Sequence, residues 1–275
     1  MTARFAQLYD KATDRMPRSL KELVRTAATR AGCALGRLPG VELLGAHLRE
    51  LFPVLGIDCV LDVGAHRGQY GRFLRNIGYR GMIVSFEPEP HNYSYLRAAA
   101  SGDPKWLTVP FALGERDGAA SFNVAHISQF SSFLEPSAYS VEQFGAAGAT
   151  ERVISVGMRR LDTVLEELVG SPESRAIFLK MDTQGYDPSV LDGALAILEH
   201  VRGIQTEISV KPLYDRMTSF DAAMARMTSL GFELTGLFPV TRDLELRVVE
   251  FDCVVRRVGV STHAAPAVSV VAGAN

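Results

Sequence analysis

The chain has 275 residues, 47% hydrophobic and 22% charged, a globular composition that excludes a disordered protein. At about 150 residues per domain this length allows one large domain with appendages or two small ones, and it buries enough surface to fold without a disulfide or metal staple. The 29 basic and 31 acidic residues leave a net charge of −2, which argues against a nucleic-acid binder working through a global basic field.

From Arg4 to Arg37 eight Lys/Arg stand against three acids, and Leu20, Leu23, Val24, Ala27, Ala28 and Ala31 recur at helical spacing. This predicts an amphipathic helical prefix, broken at Pro39-Gly40, that packs on the main domain or on a second subunit of a homodimer. An anionic membrane surface is the alternative partner. No apolar stretch approaches the roughly 20 residues of a membrane span, and the opening MTARFAQLYDKATDR has no apolar signal region. Cys33, Cys59 and Cys253 lie at wide spacings with no C-x-x-C pair, which fits a reducing, cytoplasmic setting; Cys59 and Cys253 sit in apolar runs as small core residues.

From Ile57 onward short β-branched runs alternate with helical segments. CVLDV, MIVSF, WLTVP, AIFLKMD and GIQTEIS read as buried parallel strands, because an apolar run without polar alternation belongs in a sheet covered on both faces. Helices are expected over 69–77, 90–100, 188–198 and 220–230, giving an α/β fold with a doubly wound, mostly parallel sheet. Two further strands, at 119–124 and 152–158, interrupt that order and are expected to cap an edge or roof the cleft. FELTGLFPV and LRVVEFDCVVRR, joined by a turn near Thr241 to Asp243, read as a C-terminal antiparallel hairpin. The expected organisation is an N-terminal helical extension over 1–50, a main domain over 51–257 and a disordered tail over 258–275.

The strongest motif is CVLDVGAHRGQYG, in which a strand ends at Asp62-Val63 and Gly64, Gly68 and Gly71 fill the turn and the first helical turn. Glycine serves where backbone approaches a ligand or takes a positive φ, and the helix N-terminus offers free N–H groups. The spacing is G-x-x-x-G-x-x-G rather than the dinucleotide G-x-G-x-x-G, and no G-K-[ST] follows. Asp62, two residues before the first glycine, repels a phosphate and suits an ammonium group. In SFEPEP, Glu87 ends the second strand, where an acid accepts hydrogen bonds from vicinal ribose hydroxyls. In PFALGERDG, Ala112 and Leu113 could line an adenine slot. A head-group acid, a ribose acid and an apolar base wall, in that chain order, indicate S-adenosylmethionine. The cofactor contacts expected are Asp62, Gly64, Ala65, Gly68 and Tyr70 in the first motif, Glu87 and Pro88 in the second, and Ala112 and Leu113 in the third.

Together with RRLDTVL, LKMDTQGYDPSVLDGA and QTEIS, these stretches resemble the FkbM-type methyltransferases from about Cys59 to Ser209, roughly 55% of the chain. The resemblance implies a Rossmann-like, S-adenosylmethionine-dependent fold that methylates hydroxyls of sugars, glycolipids or polyketide-type natural products, so the partner expected is a small-molecule or glycan acceptor and not a nucleic acid. The family usually has asparagine where this chain has His66, and Ser131 and Ser132 match a serine pair often seen in it, which implies a loop facing cofactor or acceptor.

Asp182 and Glu207 stand at the ends of two consecutive predicted strands, where parallel sheets open their ligand crevice. Methyl transfer to an alcohol needs donor and oxygen in line and a base. Asp182 could be that base alone or, with Glu207, could hold a divalent cation such as Mg²⁺. Alternatively Asp182 contacts the cofactor's methionine end and Glu207 only caps a strand. His126 is a further candidate base, and Lys180, in a buried strand, must be paired. A nicotinamide oxidoreductase of the same fold and a catalytically silent assembly protein are the competing readings.

Overall fold

The computed structural model of the chain describes residues 39–145, 148–243 and 245–259. It opens with α1 (Pro39–Leu55), β1 (Cys59–Val63), α2 (Gln69–Asn76), β2 (Met82–Phe86), α3 (Pro90–Ala100) and β3 (Trp106–Val109). A smaller group follows: β4 (Ala112–Leu113), β5 (Gly118–Ala125), a 3₁₀ turn at Ser128–Phe130, α4 (Ala138–Phe144) and β6 (Thr150–Arg159). The chain then returns through α5 (Leu161–Val169), β7 (Ile177–Met181), α6 (Asp187–Asp192), β8 (Val201–Ser209), α7 (Phe220–Ser229), β9 (Phe232–Arg242) and β10 (Val248–Arg257).

Seven strands form one sheet in the order β3-β2-β1-β7-β8-β10-β9. The first five are parallel, and β10 runs antiparallel between β8 and β9. The chain winds outward from β1 to β3 and later resumes on the other side of β1 with β7. That reversal leaves a crevice at the strand ends between β1 and β7. The expected sheet and hairpin are therefore present, and the two extra strands pair with β4 in a separate sheet, β4-β6-β5.

Both faces of the main sheet are covered, which is why its central strands read as unbroken apolar runs. Every residue of β1 and β7 is buried. One face packs Leu61, Leu179, Ile204 and Val255 against Leu161, Leu165 and Val190 from α5 and α6. The other packs Val60, Ile83, Phe178 and Val254 against α1, α2 and α3. Cys59 and Cys253 are fully buried core residues.

Three expectations need correction. A helix begins at Pro39, where one was expected to stop; proline is tolerated at the first helical position because its missing N–H would be unbonded there anyway. This helix runs unbroken through residue 50, the expected domain boundary, and buries Leu44, Leu48, Leu51, Phe52 and Leu55 in the main core. The helix expected over 188–198 is two pieces, α6 and a 3₁₀ segment at Leu195–His200. Gly193 separates them, pressed so closely on the Gly114 carbonyl that a β-carbon would stand 2.0 Å from its oxygen. The prefix over 4–37 and the tail beyond Gly259 lie outside the described residues. No helix among the described residues is long and apolar enough to cross a membrane.

Candidate active site

A cavity of about 470 Å³ opens over the strand ends, within the range of small-molecule and cofactor sites. Gly64 forms its floor at the end of β1. Its φ of +75° is one that only glycine takes freely, and a β-carbon there would lie 2.0 Å from the Asp182 carbonyl oxygen. The close approach is built in, since Asp182 N–H donates to the Val63 carbonyl at 3.1 Å and zips the two strand ends together. Ala65 and Tyr70 also line the cavity, and His66 reaches it with its ring bonded to Ser128 Oγ at 2.7 Å.

Glu87 faces the cavity from the end of β2 and is 5% exposed. Its Oε2 accepts the His66 N–H at 2.8 Å and its Oε1 the Glu89 N–H at 2.9 Å, so both oxygens are anchored to backbone. Burial nevertheless raises its pKa from 4.5 to about 8, the two N–H donors pulling the other way. Beside it Glu89 caps α3, accepting Asn92 N–H at 2.7 Å, and pairs with Arg152 of β6 at 3.1 Å, which ties the small sheet down over the cleft. Pro88, Ala112, Leu113, Phe86, Phe122 and Phe133 complete a largely apolar slot at this end. A carboxylate, a flat apolar slot and a charged far end match the donor set an adenosyl amino-acid cofactor requires.

Asp62 is placed differently from the expectation. It is fully buried and does not line the cavity. Its Oδ2 accepts Ser85 Oγ at 2.8 Å, and its Oδ1 stands 3.2 Å from Lys180 Nζ. The cation it faces belongs to the protein, so it serves the cavity from below. Lys180 does line the cavity, and lies 3.5 Å from Asp182 Oδ2 and 5.1 Å from the centre of the Tyr70 ring. Burial acts to lower the Lys180 pKa, but Asp62 and Asp182 outweigh it and hold the group charged above the ordinary lysine value.

Asp182 and Glu207 both line the cavity and converge on one amide. Gln184 Nε2 donates to Asp182 Oδ1 at 3.0 Å and to Glu207 Oε2 at 2.9 Å. Burial raises the Glu207 pKa well above 4.5, and Glu250 and Asp182 add to the rise. Asp252 on β10 stands opposite Glu207 in register and accepts Gln205 Nε2 at 2.9 Å, while Tyr70 Oη donates to Gln205 Oε1 at 2.7 Å. Gln184, Gln205, Asp252, Val41 and Val240 are lining residues the sequence reading missed. Gln184 and Gln205 sit in stretches already singled out, LKMDTQGYDPSVLDGA and QTEIS, whereas the others reach the cavity only through tertiary packing.

Three other candidates are not brought to the cavity wall. Gly68 packs on Leu96 and Trp106 instead. His126, just past the end of β5, is half exposed, its Nδ1 4.0 Å from Glu151, and lies outside the cavity lining. Ser132 is buried and spends its hydroxyl on the Gln184 carbonyl at 2.8 Å, leaving Ser131 as the serine that faces the cavity. The expected cation site finds no support. Among the described residues no group of three or more His, Cys, Asp or Glu side chains is arranged to hold a metal, and the Asp182–Glu207 pair has an amide donor between its members.

A family model described as the methyltransferase FkbM domain matches residues 62–234. The chain belongs to the FkbM methyltransferase family. The 2-O-methyltransferase NoeI of Sinorhizobium fredii (strain NBRC 101917 / NGR234) is 27% identical over 203 residues, covering 68% of this chain and 78% of that protein. Among solved structures, the chain is similar to a fibrillarin pre-rRNA processing protein of Methanococcus jannaschii, with a TM-score of 0.47 and 11% identity over 80% of this chain and 76% of that one. It is also similar to the magnesium protoporphyrin IX methyltransferase ChlM of Synechocystis PCC 6803 with bound SAM, with a TM-score of 0.46 and 7% identity over 92% of this chain and 90% of that one. Membership of the FkbM family supports methyltransferase activity and disfavours the nicotinamide oxidoreductase reading. The match covers neither Val41 on α1 nor Val240 and Asp252, so α1, the end of β9 and β10 bring to this FkbM cavity walls from outside the matched stretch.

Proposed function

We propose that the domain transfers a methyl group from S-adenosylmethionine to a hydroxyl of a sugar, glycolipid or polyketide-type natural product. The observation that carries this reading is Glu87, a buried carboxylate whose oxygens are each fixed by a backbone N–H and which borders the cavity beside an apolar slot. Such a group is a rigid acceptor for two vicinal hydroxyls. When bound, the cofactor supplies an electrophilic methyl group on a sulfonium.

The protein's own part is binding, orientation and proton removal. Pro88, Ala112 and Leu113 border the slot for the base, and Gly64, Ala65 and Tyr70 bound the centre. Lys180 and Asp182 offer a cation and an anion to the amino-acid end. An alcohol is a weak nucleophile, and a carboxylate whose pKa is raised toward neutrality is a better base than an ordinary one. Burial raises the Glu207 pKa, which makes its ionised form the stronger base, and its second oxygen would take the hydroxyl proton as the methyl group passes from sulfur to oxygen and S-adenosylhomocysteine is released. Ser131, on the roof, is the proposed acceptor contact. Similarity to the 2-O-methyltransferase NoeI supports oxygen as the receiving atom.

The test is a calorimetric titration of chelator-treated protein with S-adenosylhomocysteine, followed by labelled methyl transfer to a panel of methyl glycosides and hydroxylated polyketides. Saturable binding, weakened at least tenfold in Glu87→Ala, is the expected result. Absence of binding by the unaltered chain would sink the proposal.

A further inference from the structure

We propose that Gln184 is a positioning residue whose side-chain amide stands between Asp182 and Glu207 in the place a bridging cation would need, so that the two carboxylates are held by the protein and not by a metal. The inference rests on the reading of these acids as the reacting end of the cleft.

The amide has one workable orientation. Nε2 donates to Asp182 Oδ1 at 3.0 Å and to Glu207 Oε2 at 2.9 Å, while Oε1 faces the Tyr214 hydroxyl at 2.8 Å. Turned over, it would set a carbonyl oxygen against two carboxylates and lose the hydrogen bonds to both. Tyr214 is 2% exposed, and its hydroxyl also reaches the Phe130 carbonyl at 3.1 Å, so the amide oxygen is held from the roof side.

The backbone is constrained as well. Gln184 has a φ of +54° and Gly185 one of +87°, two consecutive left-handed residues. A non-glycine residue in that region carries strain and persists only where its surroundings over-determine it. Here Ser132 Oγ grips the Gln184 carbonyl at 2.8 Å from the neighbouring loop. The turn aims the side chain back between the two acids.

A divalent cation binds oxygen lone pairs in a shell of six or more ligands. Between Asp182 and Glu207 it would meet amide hydrogens, and the one oxygen Gln184 owns points away toward Tyr214. Lys180 Nζ, 3.5 Å from Asp182 Oδ2, already supplies positive charge on the far side. The amide therefore does two things that a metal would do: it sets the spacing of the carboxylates and it satisfies one oxygen of each.

The test uses the full chain, stripped with chelator, and Mn²⁺ as the probe, followed by electron paramagnetic resonance and calorimetry. The unaltered protein is expected to show no saturable site tighter than about 1 mM. Gln184→Glu exchanges the donor for a third carboxylate and is expected to gain one Mn²⁺ site, lost again when Glu207→Gln is added. Gln184→Gly, which takes the left-handed backbone without strain, opens the same place and is expected to admit Mn²⁺ more weakly; it decides the matter if the first variant does not fold. An unaltered protein that binds one Mn²⁺, with loss in Glu207→Gln, overturns the inference, and so does a folded Gln184→Glu that gains no site. Failure to bind S-adenosylhomocysteine would remove the methyltransferase reading while leaving these metal titrations to be read on their own.

Discussion

Asp62 and Lys180 are register partners on β1 and β7, with Asp62 Oδ1 3.2 Å from Lys180 Nζ. Behind them Trp106 Nε1 donates to Ser85 Oγ at 3.0 Å and Ser85 Oγ to Asp62 Oδ2 at 2.8 Å, so a polar row crosses the interior of the sheet and ends in a cation at the cavity. Asp62 thus acts on the site through Lys180.

Asp62→Asn should take away the buried one of the two carboxylates that pair with Lys180, leaving only the more exposed Asp182, at a cost of up to about 3–5 kcal/mol. Chemical denaturation measures it. Lys180→Met combined with Asp62→Asn should be less destabilised than the sum of the single changes, because the double variant strands no charge. An Asp62→Asn protein as stable as the parent would refute the assignment.

Glu87 makes stability depend on pH in a definite sense. Its folded pKa of about 8 lies above the ordinary 4.5, so between those values the folded chain holds a proton that the unfolded chain has released. Its contribution is fully present below pH 4.5 and fades as pH rises through 8. Glu87→Gln should flatten that part of the stability profile. S-adenosylhomocysteine affinity should rise as Glu87 ionises, and should drop about tenfold or more in Glu87→Gln at pH 9, the size of a lost hydrogen bond to a charged group.

Gly64→Ala should destabilise the domain by about 2 kcal/mol or more, combining left-handed strain with a collision against backbone that has no rotamer to yield. Thermal melting and S-adenosylhomocysteine titration should fall together. Binding that survives with an unchanged melting temperature would show that the two strand ends can part at no cost.

His126→Ala and Ser132→Ala form a contrasting pair. The first, at a half-exposed side chain 4.0 Å from an exposed glutamate, should change stability by no more than about 0.5 kcal/mol and leave cofactor-product binding alone. The second removes the hydroxyl that holds the Gln184 carbonyl and should cost about 1 kcal/mol. Urea titrations of the two variants distinguish them.

The sheet was legible from sequence because buried parallel strands leave unbroken apolar runs and because Asp62, Glu87 and Asp182 mark strand ends with turn chemistry. What each acid meets was not legible. Asp62 was read toward a ligand because nothing local shows that Lys180, well over a hundred residues later, lies beside it in register. Asp252 on β10 and Val240 on β9 escaped notice for the same reason: the C-terminal antiparallel pair brings them to the cavity, and no spacing along the chain records it. The helix α5 was noticed only as a motif, although Leu161, Val164, Leu165 and Val169 carry the helical period. The break at Gly193 depends on a contact with Gly114 that a local helical pattern cannot foresee.

The place of β10 between β8 and β9 also sets an order of assembly. The residues of the glycine turn, Glu87 and the apolar slot all lie in the first half of the chain, but Ala112 and Leu113 gain their strand partner only with β6, and Glu207 its antiparallel neighbour only with Asp252. A nascent chain therefore carries the lining residues of one end of the cavity well before the strands that enclose them, and the cavity is walled in only when the last strand has been threaded into the sheet.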